Sequence, residues 1–524
     1  MIAAWLLLVM PFFQGGVTAW HGYPEADALE YDISLTLHPE AGRLEGTVLY
    51  TFRAMEDLEA VRLDSLAGGD WQVSFSSTDG MPLQADRDGD RLRVRLREKV
   101  SAGEKVQFQA RIQGAPPDGL YFFKTRYGKP CVFTDHFPIR ARGWLPSEDA
   151  PEDRARFRLA LTFPKGFDAI GSGREAGGEA AGGGGSPGIG GMQTRTFATE
   201  EPLPTYLLAF AVSPFAELKE GGDARLIPHR VYRKDLPRAR RGLVHHAEWL
   251  HIMEKTFGPY SYARYCVVQV PTRWGGMENA GNTFVMEPIF DRNRFGIPVL
   301  AHEFAHQWFG DAVGYRNWDE IWLSEGFASY LGPWLDSKTG GPGLEASMQQ
   351  LRSQWLRSPE GRTLPVRWRT FSKPVEVLNS NAYPKGAWVL HMLRHEVGDK
   401  AFFKGLQAYY QENRNRAVTS VKLQGVLERA SGQPLGWFFR QWLDRPGCPE
   451  LAFEWKPDRV IVTQKGEERP FRFPLTIAWT DSGGKSREKT VRIEAPVTDV
   501  PLEDGPIRTP RIDPHVALLY RPAR

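Results

Sequence analysis

The chain has 524 residues, 41% hydrophobic and 25% charged, enough to divide into two to four domains that each bury a core. Lys and Arg exceed Asp and Glu by only three, 66 against 63, and no long basic stripe is present, which argues against nucleic acid as a partner. Cys131, Cys266 and Cys448 are far apart and lack CxxC spacing, so they form no zinc knuckle and at most one disulfide.

Taken from the N-terminus, residues Ile2 to Phe13 are uniformly apolar, and Val17, Thr18 and Ala19 place small residues where a signal peptidase reads. This predicts a signal peptide over 1–19, cleavage before Trp20, and export to a periplasm or medium. About twelve apolar residues are too few to span a bilayer, so no transmembrane segment is expected. The run departs from the usual signal in having no Lys or Arg before it. From Tyr31-Asp-Ile33-Ser-Leu35 through Leu92-Arg-Val94-Arg-Leu96 to Val106-Gln-Phe108-Gln-Ala110, apolar residues alternate with polar ones, as half-buried antiparallel strands do. An all-β domain is expected over 20–222. Within it, 171–191 is Gly-rich and poor in apolar groups, which predicts a flexible surface loop. A strand-like Thr205 to Phe210 after the loop keeps it inside the domain.

Helical periodicity takes over near Leu236 and, apart from a strand-like Cys266 to Val270, runs to Trp442, which predicts a mostly helical domain over 223–446. After Gly447 the pattern reverts to short strands, Arg459 to Val462 and Phe473 to Trp479 among them, and predicts a small β-sandwich over 447–524. The expected class is multidomain α+β.

The helical domain carries the chemistry. His302-Glu303-Phe-Ala-His306 puts two imidazoles four positions apart, on one face of a helix, where both can ligate one ion. Glu325 follows after eighteen intervening residues and can reach the same ion from an antiparallel partner helix, which the period of Trp318, Ile321, Trp322, Ala328 and Trp334 predicts. An HExxH arises by chance in about one chain in sixty of this composition; with the distant Glu the rate falls to about one in a thousand. Three protein ligands with an open fourth position are what a hydrolytic zinc needs, so one Zn²⁺ per chain is expected, with cobalt or manganese as substitutes. Glu303, beside the metal but not on it, suits a general base. Other histidines have blander readings: His391 and His395 as a packed or exposed helical pair with nothing acidic between them, His245 and His246 as neighbours pointing apart.

These residues resemble the M1 family of zinc aminopeptidases, the gluzincins that include aminopeptidase N and leukotriene A4 hydrolase. Besides His302-Glu303-x-x-His306 and Glu325 within Trp322-Leu-Ser-Glu-Gly-Phe-Ala, the segment Gly275-Gly276-Met277-Glu278-Asn279 is similar to the family's GxMEN exopeptidase motif. Tyr383-Pro-Lys385-Gly386 is similar to its Y-x-K-G segment, and the likeness runs from Arg142-Gly-Trp144-Leu-Pro146 to Trp437-Phe-x-x-Gln441-Trp442. The resemblance implies a saddle-like N-terminal β domain and a thermolysin-like catalytic domain. It implies that Tyr383 hydrogen-bonds the oxyanion, that Glu278 pairs with a substrate's free α-ammonium, and that Gly275 to Asn279 binds peptide along a strand edge. The expected partners are therefore peptides with a free N-terminus. Without the resemblance Tyr383 is an aromatic at a helix start and Gly275-Gly276 a turn.

The sequence departs from the family in two places. Phe137 stands where a Gln or Glu that helps hold the amine is expected, with Asp135 as a substitute or an ordinary loop carboxylate; Ser324 stands for the commoner Asn, expected to act only around the ligands. The small β region in place of the large helical C-terminal domain of many relatives implies an open cleft that accepts longer peptides. Two other functions fit the same residues: an endopeptidase or epoxide hydrolase using this zinc, and an inactive peptide-binding homologue.

Overall fold

The structure, a computed structural model, describes residues 21–176, 186–187, 191–291, 296–466, 469–503 and 507–523. The expected signal peptide and most of the Gly-rich run lie outside the described residues.

Alternation becomes sheet at the N-terminal end. Ala26–His38, Arg43–Ala54 and Lys105–Gly114 form successive antiparallel neighbours, burying Tyr31, Ile33, Leu35 and Leu37 on one face. Arg156–Pro164 joins the other side of Ala26–His38 in parallel, one exception to the expected antiparallel order. A second sheet runs Asp168–Gly171, Phe210–Ser213, Pro130–Thr134, Leu120–Lys124. The strand expected over Thr205 to Phe210 is instead a 3-10 turn, Thr205–Leu207, followed by a strand from Phe210. Pro204 opens that turn, and the Thr205 hydroxyl donates to Asp149 Oδ1 at 2.7 Å, a tertiary bond invisible to local pattern.

The helical region holds more strand than its periodicity suggests. Ala216–Leu218, His229–Val231, Cys266–Val270, Asn282–Met286 and Gly276–Met277 form one five-stranded sheet in that order, with Gly276–Met277 at the edge. These strands have two to five residues and bury both faces for the most part, so they show no alternation to read. The histidine helix Gly296–His306 packs on the edge strand Gly276–Met277 and on His246–Phe257, the glutamate helix Trp322–Lys338 packs on the histidine helix, and Gly386–Val397 packs on the glutamate helix. Leu300, Ala301, Phe304 and Ala305 of the histidine helix and Phe327, Ala328 and Leu331 of the glutamate helix are wholly buried. After residue 449 a four-stranded and a three-stranded sheet form the small β-sandwich. It is tied to Gly386–Val397 by His391 Nε2, which donates to Val516 O at 2.9 Å, and by Arg492 on Glu396 at 2.6 Å. Among the described residues no helix is long and apolar enough to cross a membrane.

One close approach fixes the helix arrangement. A Cβ on Gly326, the residue after Glu325, would stand 2.9 Å from Gly386 Cα, where no Cβ fits. The two glycines let the backbone behind Tyr383 touch the helix that carries Glu325. Gly326→Ala is expected to cost about 1–3 kcal/mol of overpacking strain, read as a lower denaturant midpoint with unchanged slope; an unchanged midpoint would contradict this packing.

Candidate active site

His302 and His306 share one face of the histidine helix, and their Nε2 atoms lie 3.1 Å apart. Glu325, in the first turn of the glutamate helix, brings Oε2 to 3.4 Å from His302 Nε2 and 3.3 Å from His306 Nε2. Donors about 2.0–2.2 Å from a tetrahedral ion stand about 3.3–3.5 Å from one another, so this triangle has the size zinc requires. Glu325 Oε2 is buried and accepts no hydrogen bond among the described residues, which leaves its lone pairs for a cation. The residues present fit a zinc ion.

Each ligand is held from behind. His306 Nδ1 lies 2.9 Å from Ser324 Oγ; once a cation takes the place of the Nε2 proton, Nδ1 donates to that hydroxyl and Nε2 faces the metal. Tyr383 donates to Glu325 Oε1 at 2.8 Å, and its ring stacks parallel to His302 at 6.3 Å. Tyr383 sits in a π-helical turn, Asn381–Lys385, that buried Asn381 anchors. The Asn381 amide accepts from Trp355 Nε1 at 2.9 Å and donates to Glu360 O and Leu364 O at 3.0 Å each. Burial, then the charge of Glu325, raises the Tyr383 phenol well above its ordinary range, so it stays a donor.

Two further carboxylates face the same space. Glu278 and Glu303 each place an oxygen within 4.8 Å of a His306 nitrogen and of each other. Glu303 lies flat against the edge strand because a Cβ on Gly276 would fall on its carboxylate. Glu278 Oε1 is buried with no partner among the described residues. Burial raises both carboxyls, with the neighbouring carboxylates adding to it against the pull of His306. Burial likewise lowers His302, whereas at His306 the carboxylates of Glu278, Glu325 and Glu303 outweigh burial and lift it to about 10. At Glu325 the two imidazoles overcome burial and hold the carboxyl down at about 2. Three carboxylates around two imidazoles make a site that calls for positive charge.

The cavity over these groups has a volume of ≈ 370 Å³ and is walled by Phe137, Trp274, Gly275, Gly276, Met277, Val299 and Leu378. Phe137 is buried and fixed by edge contacts to Tyr206 and Trp318, at 5.6 and 5.8 Å between centroids. Asp135 does not line the cavity. Its oxygens accept from Trp274 Nε1 and Arg140 Nη1, both at 3.0 Å, so it buttresses the Trp274 wall. Asn279 is buried beside Glu278 in the chain but does not line the cavity either.

A second cluster, Glu220, His229 and His246, was not singled out in the sequence, and no local spacing could have joined it. His229 Nδ1 accepts the Val267 N–H at 2.9 Å, so its Nε2 carries the proton and donates to Glu220 Oε2 at 3.0 Å. His246 Nδ1 donates to the same oxygen at 2.6 Å. The cluster is a buried hydrogen-bonded knot behind Phe304. His391 is likewise packed, with His395 meeting it edge-on at 4.8 Å between ring centroids.

The sequence matches the model of the Peptidase M1 N-terminal domain over residues 27–207 and that of the Peptidase family M1 domain over 242–442. The chain belongs to the M1 peptidase family. It is 27% identical to aminopeptidase B of Rattus norvegicus over 392 residues, covering 71% of this chain and 57% of the relative. To probable aminopeptidase 1 of Saccharolobus solfataricus it is 24% identical over 478 residues, covering 85% of this chain and 58% of the relative. The chain thus spans less than two thirds of the curated relatives it matches. Its fold is similar to the crystal structure of an M1 zinc metallopeptidase from Deinococcus radiodurans, at TM-score 0.64 and 26% identity over 82% of this chain and 96% of that one. A mutant of that protein bound to a Tyr-Ser-Ala substrate matches at TM-score 0.66 and 27% identity, with the same coverage. As an M1 metallopeptidase the chain takes zinc as its cofactor.

Ser324 is the position at which ligand support is most exposed to test. Ser324→Ala is expected to weaken zinc binding about 10–100-fold, measured by competition with a chromogenic chelator at fixed pH, with little change in fold. An unchanged zinc affinity would mean that the Ser324 hydroxyl does not orient His306.

Proposed function

We propose that the protein is a zinc aminopeptidase that hydrolyses the first peptide bond of peptides with a free N-terminus, with His302, His306 and Glu325 as the zinc ligands. The observation that carries this reading is the buried, unpartnered Glu278 oxygen opening on the same cavity as the three donors. A carboxylate so placed is satisfied by a substrate ammonium and left unpaired by a blocked terminus, which gives discrimination by charge burial. The aminopeptidase names of the curated relatives agree with it.

Zinc bound there would supply Lewis-acid activation of a water and of the scissile carbonyl. Glu303, flat against the edge strand, takes the water's proton and returns it to the leaving nitrogen, a role suited to a carboxyl that burial makes more basic than usual. The Tyr383 phenol turns from Glu325 to the oxyanion as the tetrahedral intermediate forms, a donor worth about 3–4 kcal/mol. The edge strand at Gly276–Met277, within Gly275 to Asn279, offers its free backbone side to an extended peptide. With Phe137 in place of a polar residue, Glu278 carries amine recognition, and the apolar walls of Phe137, Trp274, Met277 and Leu378 favour uncharged, apolar first residues. The Tyr-Ser-Ala bound by the Deinococcus radiodurans protein is in keeping with that preference. We further propose export through the N-terminal signal; a mature chain starting at Trp20 supports it and one starting at Met1 opposes it.

A panel of free and N-acetylated aminoacyl anilides tests the reading. Turnover of free Leu and Phe anilides is expected, with none of the acetylated forms and slow turnover of Glu and Arg anilides. Glu303→Gln is expected to lower kcat by at least about 10³ with zinc retained, and Glu278→Ala to raise KM for free anilides. Equal cleavage of blocked substrates would favour the endopeptidase or epoxide-hydrolase alternative, and no turnover by zinc-loaded protein the inactive homologue.

A further inference from the structure

Gln307 follows His306 directly and is wholly buried. All four hydrogen-bonding positions of its amide are used. Nε2 donates to the Glu278 backbone carbonyl at 2.7 Å and to Asp311 Oδ2 at 2.8 Å. Oε1 accepts the Gly281 N–H at 2.9 Å and the Tyr260 hydroxyl at 3.1 Å. The opposite orientation of the amide would set its oxygen against two acceptors, so the network itself fixes the rotamer.

The two backbone partners belong to one segment. Glu278 and Gly281 bracket the turn that leaves the edge strand, closed by the Asn282 N–H on Asn279 O at 2.9 Å. Gln307 therefore bolts this turn to the end of the helix that carries His302 and His306. The Glu278 carboxylate gains no such fixing from its own Oε1, which has no partner among the described residues, so its place relative to the imidazoles follows from where its backbone is held. Strand pairing of Gly276–Met277 with Asn282–Met286 secures the segment to the sheet, not to the histidine helix.

We infer that Gln307 is a positioning residue that sets the separation between the Glu278 carboxylate and the metal donors, and thereby fixes cleavage one residue from the substrate amine. This rests on the aminopeptidase reading and deepens it. Displacing a binding group by about 1 Å is enough to lose a large factor in recognition, and a buried amide with every bond made gives the least room for such drift. Gln307→Glu tests it with almost no change of shape, because it keeps both accepting contacts and replaces the two donors with an acceptor facing Glu278 O and Asp311.

Three quantities are measured on wild type, Gln307→Glu and Gln307→Met: KM for free Leu p-nitroanilide, Ki for acetohydroxamic acid, which binds a metal and has no amine, and zinc per chain. The variants are expected to raise KM at least tenfold while Ki stays within twofold and zinc stays at one per chain. KM within twofold of wild type would overturn the inference, and so would KM and Ki rising together, which marks general support of the metal helix. Should neither variant fold, Tyr260→Phe removes one of the four bonds and leaves the amide in place; a two- to threefold rise of KM at constant Ki supports the inference and an unchanged KM overturns it. Wild type that cleaves acetyl-Leu p-nitroanilide as fast as the free form would sink the aminopeptidase reading itself, whatever the variants do.

Discussion

Three carboxylates and two imidazoles share one buried cavity, and the rest of the structure is arranged around the cations this requires. Burying a charge without a partner costs several kcal/mol, and Glu278, Glu303 and Glu325 lie 5%, 6% and 3% exposed within reach of His306. A divalent ion in the triangle of His302, His306 and Glu325 answers part of that demand, and in the proposed function a substrate ammonium against Glu278 answers another part. On that proposal, metal binding and amine recognition are two halves of one electrostatic problem.

The fold meets that problem by bringing four separate segments to one place with little slack. The two histidines need only a helix. Glu325 needs a second helix pressed close to the first, which Gly332 against the His302 backbone permits, while the Gly326 and Gly386 contact seats the π-helical turn of Tyr383. Glu303 needs a backbone with no side chain above it, which Gly276 supplies. Supporting polar groups, Ser324 on His306, Asn381 under Tyr383 and Gln307 under Glu278, are buried and hydrogen-bonded, the condition for holding reacting groups in one geometry.

Much of this was legible in the sequence because the key signals are local. The spacing of His302 and His306 is a helix face, and the long alternations beginning at Tyr31 and Leu92 are sheet faces. What escaped depends on contacts between distant segments. Gln307 sits among Leu300, Phe304 and Trp308 and reads as part of a helical stripe; its signal was a polar residue on an otherwise apolar, buried face. Ser324 was expected only near the ligands, and its bond to His306 needed coordinates. The short strands at His229 and Asn282 bury both faces and so carry no period, and Thr205 to Leu207 became a turn through a bond to Asp149 in another segment. Asp135 had two open readings, and its bonds to Trp274 and Arg140 place it behind the wall.

X-ray absorption at the zinc edge of the purified protein reads the ligand set itself. One zinc per chain is expected, with two imidazole nitrogens and one carboxylate from the protein, and with one imidazole lost from the spectrum in His306→Ala. Zinc bound with sulfur donors, or a spectrum that His302→Ala, His306→Ala and Glu325→Ala all leave unchanged, would contradict it.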